Sequence, residues 1–408
     1  MKFISRVIAM ILIGLVAFDT AAAEPLADVP EPFRKSDPDS KFTISYADVD
    51  RFLKAMVVDV GRSTREKAAA RQAETGTRMK VSVRRSTVNE GNRFYFEEIS
   101  GNEDFEGALH ALRSNLEGIP SQVPLEYFSR DEQLAYWLNL YNITLLDELV
   151  KVYPKRSLKR VVTGRKSILA KKLLEVSGIP LSLDDIQYTI LAQNYDHNPL
   201  VLYGLYQGII GGPDIRKAAY KGRTVYQSLV DNAEDFINSN RGTYAKDEYT
   251  FRVSSWYERN AMFFPDFEKD LKEHLLKYLE APEKNDLRSA SRITANIDDW
   301  TVTDVYGTAD IGGSFASNKA ALIDAVRGSQ YNEEGASYAT GFSNVSGGVL
   351  AKAPSSSRFS PDTLDFMREL KAKEDATNMD KARVTVEELG EAPPEEGEGK
   401  KDDEETPD

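Results

Sequence analysis

The sequence predicts an α+β fold in which a central buried helix packs against a small sheet with surrounding helices, followed by a long, partly disordered C-terminal extension. Three observations predict it. Residues 131–150 (DEQLAYWLNLYNITLLDELV) set Leu134, Trp137, Leu138, Tyr141, Leu145 and Leu149 at helical spacing, and Tyr136, Leu140, Ile143, Leu146 and Val150 cover much of the remaining circumference. A helix apolar nearly all round is buried on several sides. Alternating runs at 79–83 and 94–99, separated by the turn residues Asn89, Glu90, Gly91 and Asn92, read as strands of a small sheet. Amphipathic stretches at 46–60, 105–116, 224–237 and 263–279 supply the surrounding helices.

Residues 1–23 read as a secretory signal peptide. Lys2 and Arg6 give a positive start, 7–18 is almost wholly apolar, and Ala21, Ala22 and Ala23 offer a small-residue cleavage site. No later stretch approaches the roughly 18 consecutive apolar residues that a spanning helix needs. The mature chain is therefore expected to be soluble, periplasmic or secreted, and without a transmembrane helix. Across 408 residues the chain carries 52 basic and 65 acidic side chains, a net charge of −13, which argues against nucleic acid as a partner. Cysteine is absent, which removes disulfides, thiol nucleophiles and thiolate metal sites together. A three-histidine metal site would have to recruit all of His110, His197 and His274; no metal and no cofactor is expected.

Residues 24–41, rich in proline and charge, are expected to form a flexible lead-in to a single domain over 42–304. The helix at 105–116 is closed by Gly118 and Pro120. Ser129 with Glu132 has the form of a capping box for the central helix, and Tyr153-Pro154 ends it. Between 155 and 172 stand Lys155, Arg156, Lys159, Arg160, Arg165, Lys166, Lys171 and Lys172. Such a run reads either as a solvated face that balances an acidic protein or as a weak contact for an anionic polymer or lipid head group.

Residues 178–183 suggest a turn into a short strand. Ser182, Leu183, Asp184 and Asp185 then open a helix with acidic residues in its first turn. Adjacent carboxylates invite an acid–base reading, but a capped helix start explains these better. Residues 199–212 (PLVLYGLYQGIIGG) read as a buried strand over 200–206 running into a tight loop with Gly204, Gly208, Gly211 and Gly212. No phosphate-cradling glycine motif is present. A strand and turn at 249–256 and a strand within 293–306, with Trp300 buried against the domain, complete it. Beyond lies a Gly/Ser-rich extension over 305–386 with short helices at 319–326 and 361–373, then a disordered acidic tail over 387–408.

The central helix and the elements C-terminal to it resemble the domain-of-unknown-function 547 family, in a divergent, exported bacterial-type member. The resemblance rests on 134–142 (LAYWLNLYN), Tyr153-Pro154, 180–186 (PLSLDDI), the glycine loop, 219–222 (AYKG) and 255–257 (SWY). It implies that relatives carry a histidine in the buried strand, then a cysteine, and a second cysteine before the proline of the loop. Those positions fall here on Leu202, Gln207 and Gly212, with Pro213 retained. Where relatives place glutamate, histidine and later arginine, this chain has Gln187, Tyr188 and Ala192. The resemblance thus implies a scaffold whose nucleophile, base and anion holder have been replaced.

These residues support two functions. The first is a non-catalytic binding or scaffolding role in the cell envelope, toward an envelope protein or a small ligand, in the manner of a pseudoenzyme. The alternative is a hydrolase or transferase working through a non-cysteine polar site around the central helix and the glycine loop. No catalytic residue is assigned; the candidate binding residues are Asn139, Tyr141, Asn142, Tyr203, Tyr206 and Gln207. Asn139 and Asn142 share one side of a buried helix, where amides must find partners, and are expected to hold the backbone of 203–212.

Overall fold

The computed structural model describes residues 27–65, 87, 90–164, 166–305 and the backbone of 386–388. The signal peptide, the strand expected at 79–83, Arg165, the helices expected at 319–326 and 361–373, and the tail beyond Glu388 lie outside the described residues. In chain order the elements are β1 (Phe42–Ile44), α1 (Ala47–Met56), β2 (Val57–Val58), β3 (Arg93–Phe94), α2 (Phe96–Ile99), α3 (Glu103–Gln122), α4 (Arg130–Val152) and α5 (Lys159–Val162). Next are β4 (Leu174–Val176), β5 (Ile179–Leu181), a π-helical stretch (Asp185–Leu191) running into α6 (Ala192–Asn194), and α7 (Val225–Ile237). Last come β6 (Thr243–Ala245), β7 (Thr250–Ser254), α8 (Ser255–Arg259), α9 (Phe267–Tyr278), α10 (Glu283–Ser289), β8 (Arg292–Ile297) and β9 (Val386–Glu388). The fold is α+β: among the described residues there are many helices with four small sheets, of which β6-β7-β8 has three strands and the others two.

The expected central helix is α4. Eighteen of its 23 residues are buried, from Glu132 to Val150, so neighbours enclose it on every side. Ser129 caps its start, the hydroxyl accepting from the Glu132 amide at 3.2 Å. The reciprocal half of the expected capping box is not formed. Glu132 instead accepts from the Ile44 amide at 3.1 Å and the Gly222 amide at 3.2 Å, tying β1 and a distant turn to the first turn of α4. Burial raises the Glu132 carboxyl above its ordinary pKa. A reciprocal capping arrangement appears further along the chain: the Ser182 hydroxyl accepts from the Asp185 amide, while the Asp185 carboxylate accepts from the Ser182 amide and hydroxyl. Lys172 reaches the same carboxylate at 2.5 Å.

Several expectations are corrected. Residues 200–206 are not a strand; Pro199–Gly204 is a 3-10 helix capped by Asn198, whose side chain accepts from the Leu200 amide. A short apolar run buried on all sides carries no alternation that would separate strand from helix. Of the run 94–99 only Phe94 is strand, and Phe96–Ile99 is helical. Helix α3 passes Gly118 and Pro120 and ends at Gln122, because a proline in the last turn removes only one hydrogen bond. The lead-in packs from residue 27 onward: Phe33 is fully buried with its ring edge-on to Trp137 at 5.0 Å, Asn194 donates to the Phe33 carbonyl and Gln133 to the Lys35 carbonyl. At the far end, Val386–Glu388 pairs antiparallel with β1, where the acidic tail was expected to begin.

Residues 299–305 act as a strap. Ser157 bridges Thr301, Ile209 bridges Val302 and Phe94 bridges Asp304, so three remote segments share one extended piece of chain. The Thr87 hydroxyl donates to Asp299 at 2.5 Å, and the Tyr153 hydroxyl to Asp304 at 3.1 Å.

Gly222 tests how closely the turn approaches α4. A Cβ there would lie 2.3 Å from Glu132 Oε2 and 2.9 Å from Glu132 backbone atoms. Gly222→Ala should therefore destabilise the fold by about 1–3 kcal/mol, read as a lower urea midpoint with an unchanged slope.

Candidate ligand-binding site

The two asparagines of α4 clamp backbone. Asn142 donates from Nδ2 to the Gly204 carbonyl at 2.9 Å and accepts at Oδ1 from the Tyr206 amide at 3.0 Å. This is the loop expected for it. Asn139 does not share that loop; it donates to the Tyr220 carbonyl at 2.8 Å and accepts from the Tyr220 amide at 2.9 Å. The reason is geometric: three residues advance a helix by about 4.5 Å, enough to bring a different segment alongside. Both side chains have donor and acceptor occupied.

The four remaining predicted residues divide. Tyr203 joins an aromatic cluster with Tyr257, Phe236 and Trp256, its hydroxyl 3.0 Å from both the Tyr257 hydroxyl and His274 Nε2. Burial drives the His274 pKa down to about 3, so the imidazole is neutral there. Tyr206 bonds to the Thr303 hydroxyl of the strap. Tyr141 and Gln207 lead instead to a common place. Tyr141 donates to Gln187 Oε1 at 3.5 Å, and Gln187 donates to Asn260 Oδ1 at 2.5 Å. Tyr188 reaches the same Asn260 oxygen at 3.4 Å. Gln207 accepts from Arg259 at 3.0 Å.

Gln187, Tyr188 and Gln207 thus converge on Arg259 and Asn260, at the C-terminal end of α8. These are three of the positions at which the resemblance implied reactive groups in relatives. Gln187 and Tyr188 are consecutive, and the π-helical stretch that carries them has the wider turn often found where a helix serves a site. Asn260 and the tyrosine and glutamine partners behind it are buried or half-buried; Arg259, Tyr188, Asp184 and Trp300 form the part that meets solvent. The Arg259 guanidinium carbon lies 4.5 Å from the centre of the Trp300 indole, and Lys159 Nζ lies 5.4 Å from it. Ser255 accepts a further Arg259 bond at 3.1 Å.

The electrostatics fit a site half out of water. Burial lowers the Arg259 pKa, although Tyr188 and Asp298 nearby oppose this. Burial, then the neighbouring Asp185, pushes Asp184 up to about 6, and burial with Asp184 pushes Tyr188 up to about 12. The arrangement offers a guanidinium and an ammonium beside an aromatic face, suited to a carboxylate or phosphate.

Other features lie elsewhere. A cavity of about 270 Å³ is lined by Arg62, Arg65, Glu234, Asp235, Glu280 and Glu283; Arg62 reaches Glu234, Asp235 and Glu280 at 3.2, 3.5 and 3.4 Å. Among the described residues no group of three or more His, Asp or Glu side chains is placed to hold a metal ion, and no helix is long and apolar enough to cross a membrane. Sequence reasoning missed Arg259 and Asn260, although they closely follow the Ser255, Trp256, Tyr257 signature. An arginine and an asparagine closing a buried aromatic turn were the signal.

Residues 125–237 match the family described as "Protein of unknown function, DUF547". Neither a curated protein nor a solved structure matches the chain.

Two outcomes test the roles of these side chains. Asn142→Ala or Asn139→Ala strands two backbone groups in the core and should each cost on the order of 1–3 kcal/mol, read by chemical denaturation. For Asp184, the folded protein holds a proton that the unfolded chain releases between pH 3.8 and about 6. Stability therefore falls as pH rises through that window and stays lower above it. Discounted for partial exposure, Asp184→Asn should gain about 1–2 kcal/mol at pH 8 and nothing near pH 3.5.

Proposed function

We propose, from a chain whose residues 125–237 match this family of unknown function, that the protein is an exported, non-catalytic binding or scaffolding protein of the cell envelope. Its ligand is an anionic group taken at Arg259 beside Trp300. The observation that carries this reading is the convergence of Gln187, Tyr188 and Gln207 on Arg259 and Asn260. Amides stand at positions where the family resemblance implies a nucleophile and a base in relatives. Amides hold a guanidinium in a fixed direction; at neutral pH they neither attack a carbonyl nor take up a proton. A site built this way orients a ligand without breaking its bonds. The basic start, apolar run and alanine site of 1–23 support export.

Tryptophan emission offers the test, because Trp137 and Trp256 are fully buried and Trp300 is not. Titrating the mature chain with galacturonate or glucose 6-phosphate should shift the emission, and uncharged galactose should not. Arg259→Ala should weaken the charged ligands at least tenfold, the loss of about 1.4 kcal/mol. An unchanged affinity in that variant would remove Arg259 from the site. N-terminal sequencing of protein recovered from the envelope should begin at or near Glu24; recovery with Met1 from the cytosol would overturn the export reading.

A further inference from the structure

The stretch 155–172 contains eight Lys and Arg residues and no acidic one, in a chain whose net charge is −13. Its local fold holds the described ones at the surface. Helix α5 packs against the short 3-10 turn Ile168–Ala170, and both are fixed to the body by buried Leu158, Val161, Val162, Ile168 and Leu169. The Leu158 amide donates to the Trp300 carbonyl at 2.9 Å, and the Val302 amide to the Arg156 carbonyl at 2.9 Å. The apolar side chains face inward and leave the charged ones outside. Lys155, Lys159, Arg160, Lys166 and Lys171 are exposed. At the end of the stretch Lys172 pairs with the buried Asp185 carboxylate. Lys159 also lies over Trp300, so the patch joins the site around Arg259.

We propose that this patch binds a linear anionic polysaccharide, one carboxylated sugar of which enters beside Arg259 and Trp300 while the neighbouring sugars run across Lys155, Arg160 and Lys166. The inference rests on the anion-binding reading of Arg259 and extends it to the class of ligand. The confinement of the basic run to residues 155–172 favours a thread over a plane. Fields between exposed charges fade over roughly 8–10 Å at physiological salt. A narrow polymer needs only the reach of the basic run, whereas a flat anionic membrane also meets the rest of a chain whose net charge is −13 and is repelled by it. A membrane-binding face would in addition present apolar side chains for insertion. Among the described residues, the exposed large apolar ones are Phe42, Tyr127, Tyr226, Tyr244, Tyr249 and Met262, all outside 155–172 and its Trp300 neighbour.

The experiment uses the mature full chain and polygalacturonate, with binding followed by interferometry. Affinity should fall steeply with salt, on the order of 50-fold or more between 0.1 and 0.3 M for about five neutralised charges. Substituting Lys155→Glu, Arg160→Glu and Lys166→Glu together should weaken the polymer at least tenfold and leave free galacturonate unaffected. The same charge change placed elsewhere, as Lys54→Glu, Lys217→Glu and Lys246→Glu, should weaken the polymer less than threefold. Equal losses in the two triple variants would reduce the effect to net charge and overturn the patch. Binding to phosphatidylglycerol vesicles with none to polygalacturonate would overturn it in favour of a membrane. Free galacturonate failing to bind while the polymer binds through the patch would instead sink the Arg259 reading and, with it, this extension.

Discussion

The structure depends on paired amide hydrogen bonds made from inside α4. Each of Asn139 and Asn142 gives one donor and one acceptor to a backbone segment that has no strand or helix partner at that point. Irregular backbone can enter a core only if its amides and carbonyls are satisfied there. Two side chains spaced three apart on one helix satisfy four such groups. Glu132 does the same for the amides of Ile44 and Gly222, with a carboxylate that can only accept. The helix therefore serves as more than an apolar rod, because it carries the polar contacts that allow loops to lie where sheet would otherwise be required.

That arrangement explains what could be read in the chain. Helix α4 was legible because its apolar residues recur on every face and Ser129 marks its start. Helices α7 and α9 were legible from ordinary amphipathic spacing, though α9 begins four residues later than its pattern. The 3-10 helix Pro199–Gly204 was misread because burial on all sides erases the periodicity on which such a reading relies. Asn142 was placed correctly because a glycine-bearing loop needs backbone partners. Asn139 was not, since the sequence holds no mark of which loop approaches which turn of a helix.

The candidate site was half visible for a related reason. Gln207 and Tyr141 lead to it, but the group on which they converge comes from Arg259 and Asn260, and its aromatic face from Trp300. Spacing in a sequence reports neighbours one or two helical turns apart. It does not report a meeting between residues 141, 187, 207, 259 and 300, which depends on how β7, α8 and the strap are threaded. The tyrosines illustrate the converse: Tyr203 and Tyr206 looked like ligand contacts as polar residues beside a loop, yet both hydroxyls are spent within the core.

The strap at 299–305 has a consequence for the order of assembly. Its bonds close loops of 151 residues to Tyr153 and 212 residues to Thr87. Contacts so distant in sequence form late, after the chain entropy of closure has been offset by more local packing. Trp300 rides on that strap, so the aromatic side of the site is laid down among the final steps of folding. A chain interrupted before residue 299 could build α4 and its clamped loops and still lack the Trp300 side of the candidate site. Ligand competence would then report completed folding rather than mere compactness, and a partner that captures the site would pull late-folding chains toward the native state.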